Sequence, residues 1–89
     1  MITEETLVAN VKKRDEKACH VLYNKYASSV YGIVCKYHKE EESRKAVFEK
    51  IFLKIFNTIS TYDSSKSGLF MWMYSIVHTE LRMEMKDRE

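Results

Sequence analysis

The chain has 89 residues, two glycines, no proline and 45% hydrophobic residues, which fits one small domain and leaves too few turn residues for a sandwich or barrel. An all-α fold is expected, a compact bundle of about four helices. A formal charge of +2 and a pI near 8.5 permit nucleic-acid binding without announcing it.

Thr3 is expected to cap a first helix from about Glu4 to Lys13, with Leu7, Val8 and Val11 on one apolar face and Glu4 and Glu5 at the positive end of the helix dipole. Asp15 is the next cap. Cys19, Leu22, Tyr23, Tyr26, Val30, Ile33, Val34 and Tyr37 then recur every three or four residues, the signature of one buried face of a long helix. Ser28, Ser29 and Gly32 are candidates for a bend in it. The polar stretch from His38 to Ser43 ends this helix, and its acids favour the start of a third.

In the third helix Val47, Phe48, Ile51, Phe52, Ile55, Phe56 and Ile59 form a wide apolar stripe. Arg44, Lys45, Lys50 and Lys54 outnumber Glu49 on its polar positions, which reads as a solvated face or as a docking surface for an acidic partner. A serine-rich loop, Thr61 to Ser67, carries Lys66. Ser67 is the expected cap of a fourth helix with Leu69, Trp72, Met73, Ile76 and Val77 inward, and beyond Leu81 the pattern fades toward a frayed end.

Helical spacing assigns most aromatics to the core. Tyr62, Phe70 and Tyr74 are the exceptions, because they neighbour Lys66, and aromatic faces beside cations hold unstacked bases. No nucleophile, base and orienting group converge by spacing, so no enzyme and no catalytic residues are expected. Cys35 and His38 lie one turn apart, yet no second pair completes a tetrahedral set, so neither a metal nor a cofactor is expected. His20 and His78 read as solvated. Cys19 and Cys35 are too few for a disulfide scaffold and are expected as reduced thiols. The acidic N-terminus is not a signal peptide, and the apolar run from Leu69 to Val77 is too short for a bilayer. A soluble, cytoplasmic protein without membrane contact is expected.

Three stretches carry a family resemblance: LVANVKKRDEKACHVLYNKYASSVYGIV in Leu7 to Val34, IFLKIF in Ile51 to Phe56, and YDSSKSGLFMWMYSIV in Tyr62 to Val77. In this order they resemble region 2 of bacterial RNA polymerase sigma factors of the extracytoplasmic-function (ECF) group. Members of that group read like L-x-x-x-x-x-G-D-x-x-A-F-x-x-L-Y-x-x-Y-x-x-x-V-Y, then V-F-L-x-L-W, then F-D-x-x-x-x-S-F-x-x-W-L-x-x-I-A. The resemblance covers nearly all of residues 1–89, as one region 2-like domain. It implies a fragment lacking the helix-turn-helix domain that follows region 2 in the family.

The resemblance implies a noncatalytic transcription initiation module. One helix would dock on the clamp helices of the largest subunit of core RNA polymerase, through Glu42, Glu49, Lys50, Leu53 and Lys54. The next loop and helix would recognise and melt the minus-ten promoter element and hold its unpaired bases. The loop pocket would span Tyr62 to Gly68, with Lys66, Ser67 and Phe70 at the DNA, and the helix would add Tyr74, Ser75, His78, Thr79 and Arg82. An anti-sigma factor is a further implied partner.

Two departures from the family pattern stand out. Ser43, Arg44, Lys45 and Lys50 occupy a stretch that is acidic in the family. The last ten residues hold three basic against four acidic side chains, where the family carries a run of arginines. These departures support an alternative, a sigma-like fold that acts as a protein interaction module without promoter recognition.

Overall fold

A computed structural model describes residues 3–87, all helix and connections. Helix α1 spans Glu4–Lys12, α2 spans Glu16–Tyr37, α3 spans Glu41–Thr58, and α4 spans Leu69–Asp87. A single 3-10 turn, Ile59–Thr61, extends α3.

The two expected N-caps are formed. Thr3 Oγ1 accepts from the Thr6 amide at 3.1 Å, and Asp15 Oδ1 accepts from the Lys17 amide at 3.2 Å, so each satisfies an amide that the first turn leaves without a helical partner. Between these helices Arg14 takes φ 65°, a left-handed conformation that costs an L-residue roughly 1–2 kcal/mol. The family pattern has glycine in the G-D pair at this junction. Arg14 uses the strained geometry to donate from Nη1 to the Phe56 carbonyl at 2.5 Å, which ties the α1–α2 corner to the end of α3.

α2 is the hub of the bundle, in contact with α1, α3 and α4. It runs unbroken through Ser28, Ser29 and Gly32. Its buried line is Ala18, Leu22, Val30 and Val34, whereas Tyr23 and Tyr37, expected inward, lie at the surface. α3 contributes Val47, Ile51, Phe52 and Ile55 to the core, with Ile59 from the 3-10 turn. α4 contributes Leu69, Met73, Val77 and Leu81 at fourfold spacing, one stripe of a helix of 3.6 residues per turn.

Three boundaries differ from the sequence reading. α3 starts at Glu41, so Glu41 and Glu42 form its first turn, as acids near a helix N-terminus favour. α4 is capped by Gly68, whose carbonyl accepts from the Trp72 amide at 3.1 Å, and not by Ser67. α4 also continues past Leu81 to Asp87, where fraying was expected. Leu81 is fully buried, and Glu84 one turn later accepts from Lys50 Nζ of α3 at 2.6 Å, so packing and a cross-helix pair hold the extra turns. Arg88 and Glu89, part of the acidic end, lie outside the described residues.

His38, just after α2, is only 2% exposed. Its carbonyl accepts from Arg44 Nε at 2.6 Å, but neither ring nitrogen meets a hydrogen-bond partner. An unpaired buried polar group of this kind costs about 1–3 kcal/mol.

Two stability measurements follow. Arg14→Ala, which loses the Phe56 bond and keeps the strain, is expected to lower unfolding free energy by about 1–2 kcal/mol in urea melts. Arg14→Gly loses the same bond but relieves the strain, and should stay within about 1 kcal/mol of the parent. His38→Leu, which removes two unpaired nitrogens at similar volume, should raise the melting temperature, and a drop would mean that the imidazole finds partners in solution.

Candidate nucleic-acid and partner interfaces

The loop between the 3-10 turn and α4 is shaped by two side chains. Asp63 Oδ1 accepts from the Ser65 amide at 2.9 Å and from the Ser65 hydroxyl at 2.7 Å. The Lys66 amide donates to the Asp63 carbonyl at 3.0 Å, which closes a turn. The bonds from Ser65 hold the Asp63 carboxyl below the ordinary aspartate pKa, and the Lys12 charge adds to this.

Tyr62 is the second shaping residue and is only 4% exposed. Its ring packs 5.4 Å from Trp72, and its hydroxyl donates to the Ser67 carbonyl at 2.9 Å. Burial, and then the negative charges of Glu4 and Asp63, raise its phenol pKa and keep the proton on the oxygen that donates. Tyr62, expected at the nucleic acid, therefore fastens the loop from below. Ser64, Ser65 and Lys66 are exposed above it, and Ser67 is half-buried.

α4 presents Phe70 and Tyr74, 37% and 36% exposed, followed by a half-buried His78. These rings stand one turn apart and touch in sequence. Phe70 and Tyr74 are 5.9 Å apart, and Tyr74 and His78 are 4.3 Å apart. α2 closes both ends of the row, with Tyr26 stacked on Phe70 at 5.8 Å and Tyr37 edge-on to His78 at 6.3 Å. The α4 part alone spans about 12 Å, eight residues at the helical rise. Ser75, Thr79 and Arg82 are exposed, although the Thr79 hydroxyl is spent on the Ser75 carbonyl. His78, expected to be solvated, is a working part of this row.

Among the expected polymerase-facing residues, Glu42, Glu49 and Leu53 project from the outer surface of α3, with Leu53 61% exposed. Lys50 lies on a different flank, paired with Glu84. Lys45 pairs with Glu41 at 3.3 Å, and Arg44 is committed to the His38 carbonyl. Two of the four basic charges of α3, Lys45 and Lys50, are thus answered by carboxylates within the molecule, and exposed Lys54 stands beyond these pairs.

Sequence reasoning missed a surface beside Glu49 and Leu53, on the side of α3 that faces α2. Tyr23, Tyr31, Phe48, Phe52 and Phe56 line an open groove of about 980 Å³ between α2 and α3, rimmed by Lys45, Glu49 and Leu53. Their rings interlock, with Tyr23 4.8 Å from Phe52 and Tyr31 5.5 Å from Phe48. The signal was the width of the α3 stripe: Phe48, Phe52 and Phe56 repeat every fourth residue beside a complete line of Val47, Ile51 and Ile55, more apolar surface than one buried face needs. Among the described residues no cluster of three or more metal-ligating side chains occurs, and no helix is long and apolar enough to cross a membrane.

No protein-family model matches the chain. An ECF RNA polymerase sigma-E factor of Haemophilus influenzae is 28% identical over 75 residues, 84% of this chain and 39% of that protein. The ECF RNA polymerase sigma factor SigK of Mycobacterium sp. (strain KMS) is 24% identical over 74 residues, 83% of this chain and 38% of that protein. An engineered region 2 of sigmaE, solved by NMR in complex with GTAAAA, superposes with a TM-score of 0.84 at 23% identity, over 98% of this chain and 90% of that one. This chain resembles ECF sigma region 2 in sequence and has its fold.

The chain spans 39% and 38% of these two sigma factors. Within the region 2 fold, the loop and α4 form one edge and the outer face of α3, with its aromatic groove, forms another.

The Asp63 turn has a pH signature. A carboxyl whose pKa is lowered by folding contributes its full share above the ordinary aspartate pKa and loses it as pH falls through the lowered value. An NMR titration should therefore place the Asp63 midpoint below that of an unstructured aspartate. Ser65→Ala, which keeps the amide bond and removes the hydroxyl bond, should move it upward, and an unchanged midpoint would mean that the hydroxyl bond does not form in solution.

Proposed function

We propose that this domain is a noncatalytic transcription initiation module, which binds core RNA polymerase and captures unpaired bases of the minus-ten promoter element. The observation that carries the reading is the row Tyr26, Phe70, Tyr74, His78 and Tyr37 beside a fastened loop that exposes Lys66. Rings with one face open to solvent and cations at hand are what single-strand binding requires. Lys25, with its ammonium 5.4 Å from the Tyr26 ring, Lys66 and Arg82 supply the cations. The sigma relatives support the same assignment. Ser67, Ser75 and Thr79 would offer polar groups to the bases or backbone, and Tyr62 would act by holding the loop.

The acidic patch Glu42 and Glu49 with exposed Leu53 suits a basic clamp surface, and Lys54 would flank it. Lys50 enters this reading as a neutralised charge, because Glu84 answers it. A bacterial, cytoplasmic setting and regulation by an anti-sigma factor belong to the same proposal, as does a helix-turn-helix domain elsewhere in the full protein.

With Lys25, Lys66 and Arg82 as the cations that meet phosphate, stacking outweighs charge. Binding to a single-stranded minus-ten oligonucleotide should then show a shallow salt dependence, with a log–log slope of about −2 from roughly 0.7 per cation. Phe70→Ala and Tyr74→Ala should each weaken binding by about 1–3 kcal/mol, while Lys66→Ala and Arg82→Ala should cost only a few-fold each. The reading fails if the domain neither binds the oligonucleotide at low salt nor co-purifies with core polymerase.

The aromatic groove favours a second reading, a sigma-like protein interaction module. Exposed apolar surface of this kind marks binding sites. Under that reading Phe48→Ala and Leu53→Ala abolish capture of a regulator, and polymerase is never recovered.

A further inference from the structure

The loop is also held from outside, by α1. The Tyr62 carbonyl opens the loop at a half-buried position and needs a donor, because an unpaired carbonyl there would forfeit its hydrogen bond to water. Lys12, the last residue of α1, supplies it through Nζ at 2.8 Å. The same ammonium sits 6.0 Å from the centre of the Tyr62 ring. The Tyr62 amide donates to the Ile59 carbonyl at 3.0 Å, so with its hydroxyl on Ser67 every polar group of Tyr62 is engaged. Lys12 is the contributor farthest away in sequence, 50 positions from Tyr62. Beside it a small cavity of about 220 Å³, lined by Glu4, Glu5, Val8, Lys12, Tyr62 and Ser64, separates α1 from the exposed part of the loop.

We propose that Lys12 is a positioning residue that sets the base-capturing loop from α1, without touching nucleic acid itself. The proposal rests on the DNA-binding reading only for its functional consequence; the effect on the loop stands on the contacts above. Loss of the ammonium frees the Tyr62 carbonyl, loosens the start of the loop and lets the Asp63 turn open, so Lys66 is presented in many orientations and bound bases lose a fixed partner.

The test uses the full 89-residue chain as Lys12→Met, Lys12→Gln and Lys12→Arg variants, with the GTAAAA oligonucleotide as the probe. Amide exchange by NMR reads the loop directly. In Lys12→Met the Lys66 amide should exchange about tenfold faster, as expected for loss of one charge-assisted hydrogen bond, with core amides such as Ile51 and Met73 unchanged. Affinity for GTAAAA should fall about fivefold with the salt slope unchanged, since a lost phosphate contact would lower the slope by roughly 0.7. Lys12→Gln should show the same pattern, and Lys12→Arg should restore both readouts. Unchanged loop exchange in Lys12→Met and Lys12→Gln would overturn the proposal, as would a reduced salt slope, which would make Lys12 a direct phosphate contact. If the parent chain does not bind GTAAAA, the DNA-binding reading fails, while the exchange result still decides whether Lys12 sets the loop.

Discussion

The burial of Tyr62 is the constraint on which the loop edge of this molecule depends. A tyrosine ring removed from water brings a hydroxyl and two backbone groups that must find partners. Each partner belongs to a different part of the chain: the Ser67 carbonyl at the far end of the loop, the Ile59 carbonyl in the 3-10 turn, and Lys12 on α1. Trp72 of α4 covers the ring. One residue thus joins α1, the end of α3, the loop and α4. The exposed residues above it inherit a fixed backbone because the residue below has no alternative arrangement that satisfies it.

The two departures from the sigma pattern are halves of one feature. A basic residue on α3 and an acidic one near the end of α4 each look unfavourable when each helix is considered alone, the first toward a basic partner and the second toward phosphates. The fold brings Lys50 and Glu84 together, and the side chain of Glu84 is the less exposed of the two. An exposed pair adds little stability. Its effect is on the outside field: a cation is withdrawn from the α3 surface and an anion from the α4 surface. Lys45 with Glu41 acts in the same direction on α3.

Much of the fold was legible in the sequence because it is written in local terms. The Thr3 and Asp15 caps, the α1 face of Leu7, Val8 and Val11, and the α3 line of Val47, Ile51 and Ile55 are set by residues three or four apart. What the sequence hid depends on distant partners. The last turns of α4 hold because Glu84 meets a residue 34 positions away. Tyr62 lies in a loop, where helical periodicity says nothing about burial. Tyr26 and Tyr37 fit the α2 period and so read as core, yet the turn of α2 against α4 leaves them at the ends of an aromatic row. The loop itself was legible from composition, and the burial of Tyr62 beneath it was not.

The bond between Lys12 and Tyr62 has a consequence for how the chain folds. Contacts within the bundle join mainly consecutive helices, so pairs such as α1 with α2 can form early, with short loops to close. The Lys12 contact closes a segment of 50 residues and requires α1 to be docked before the loop can settle. The loop edge therefore depends on a docked α1 as well as on its own turn.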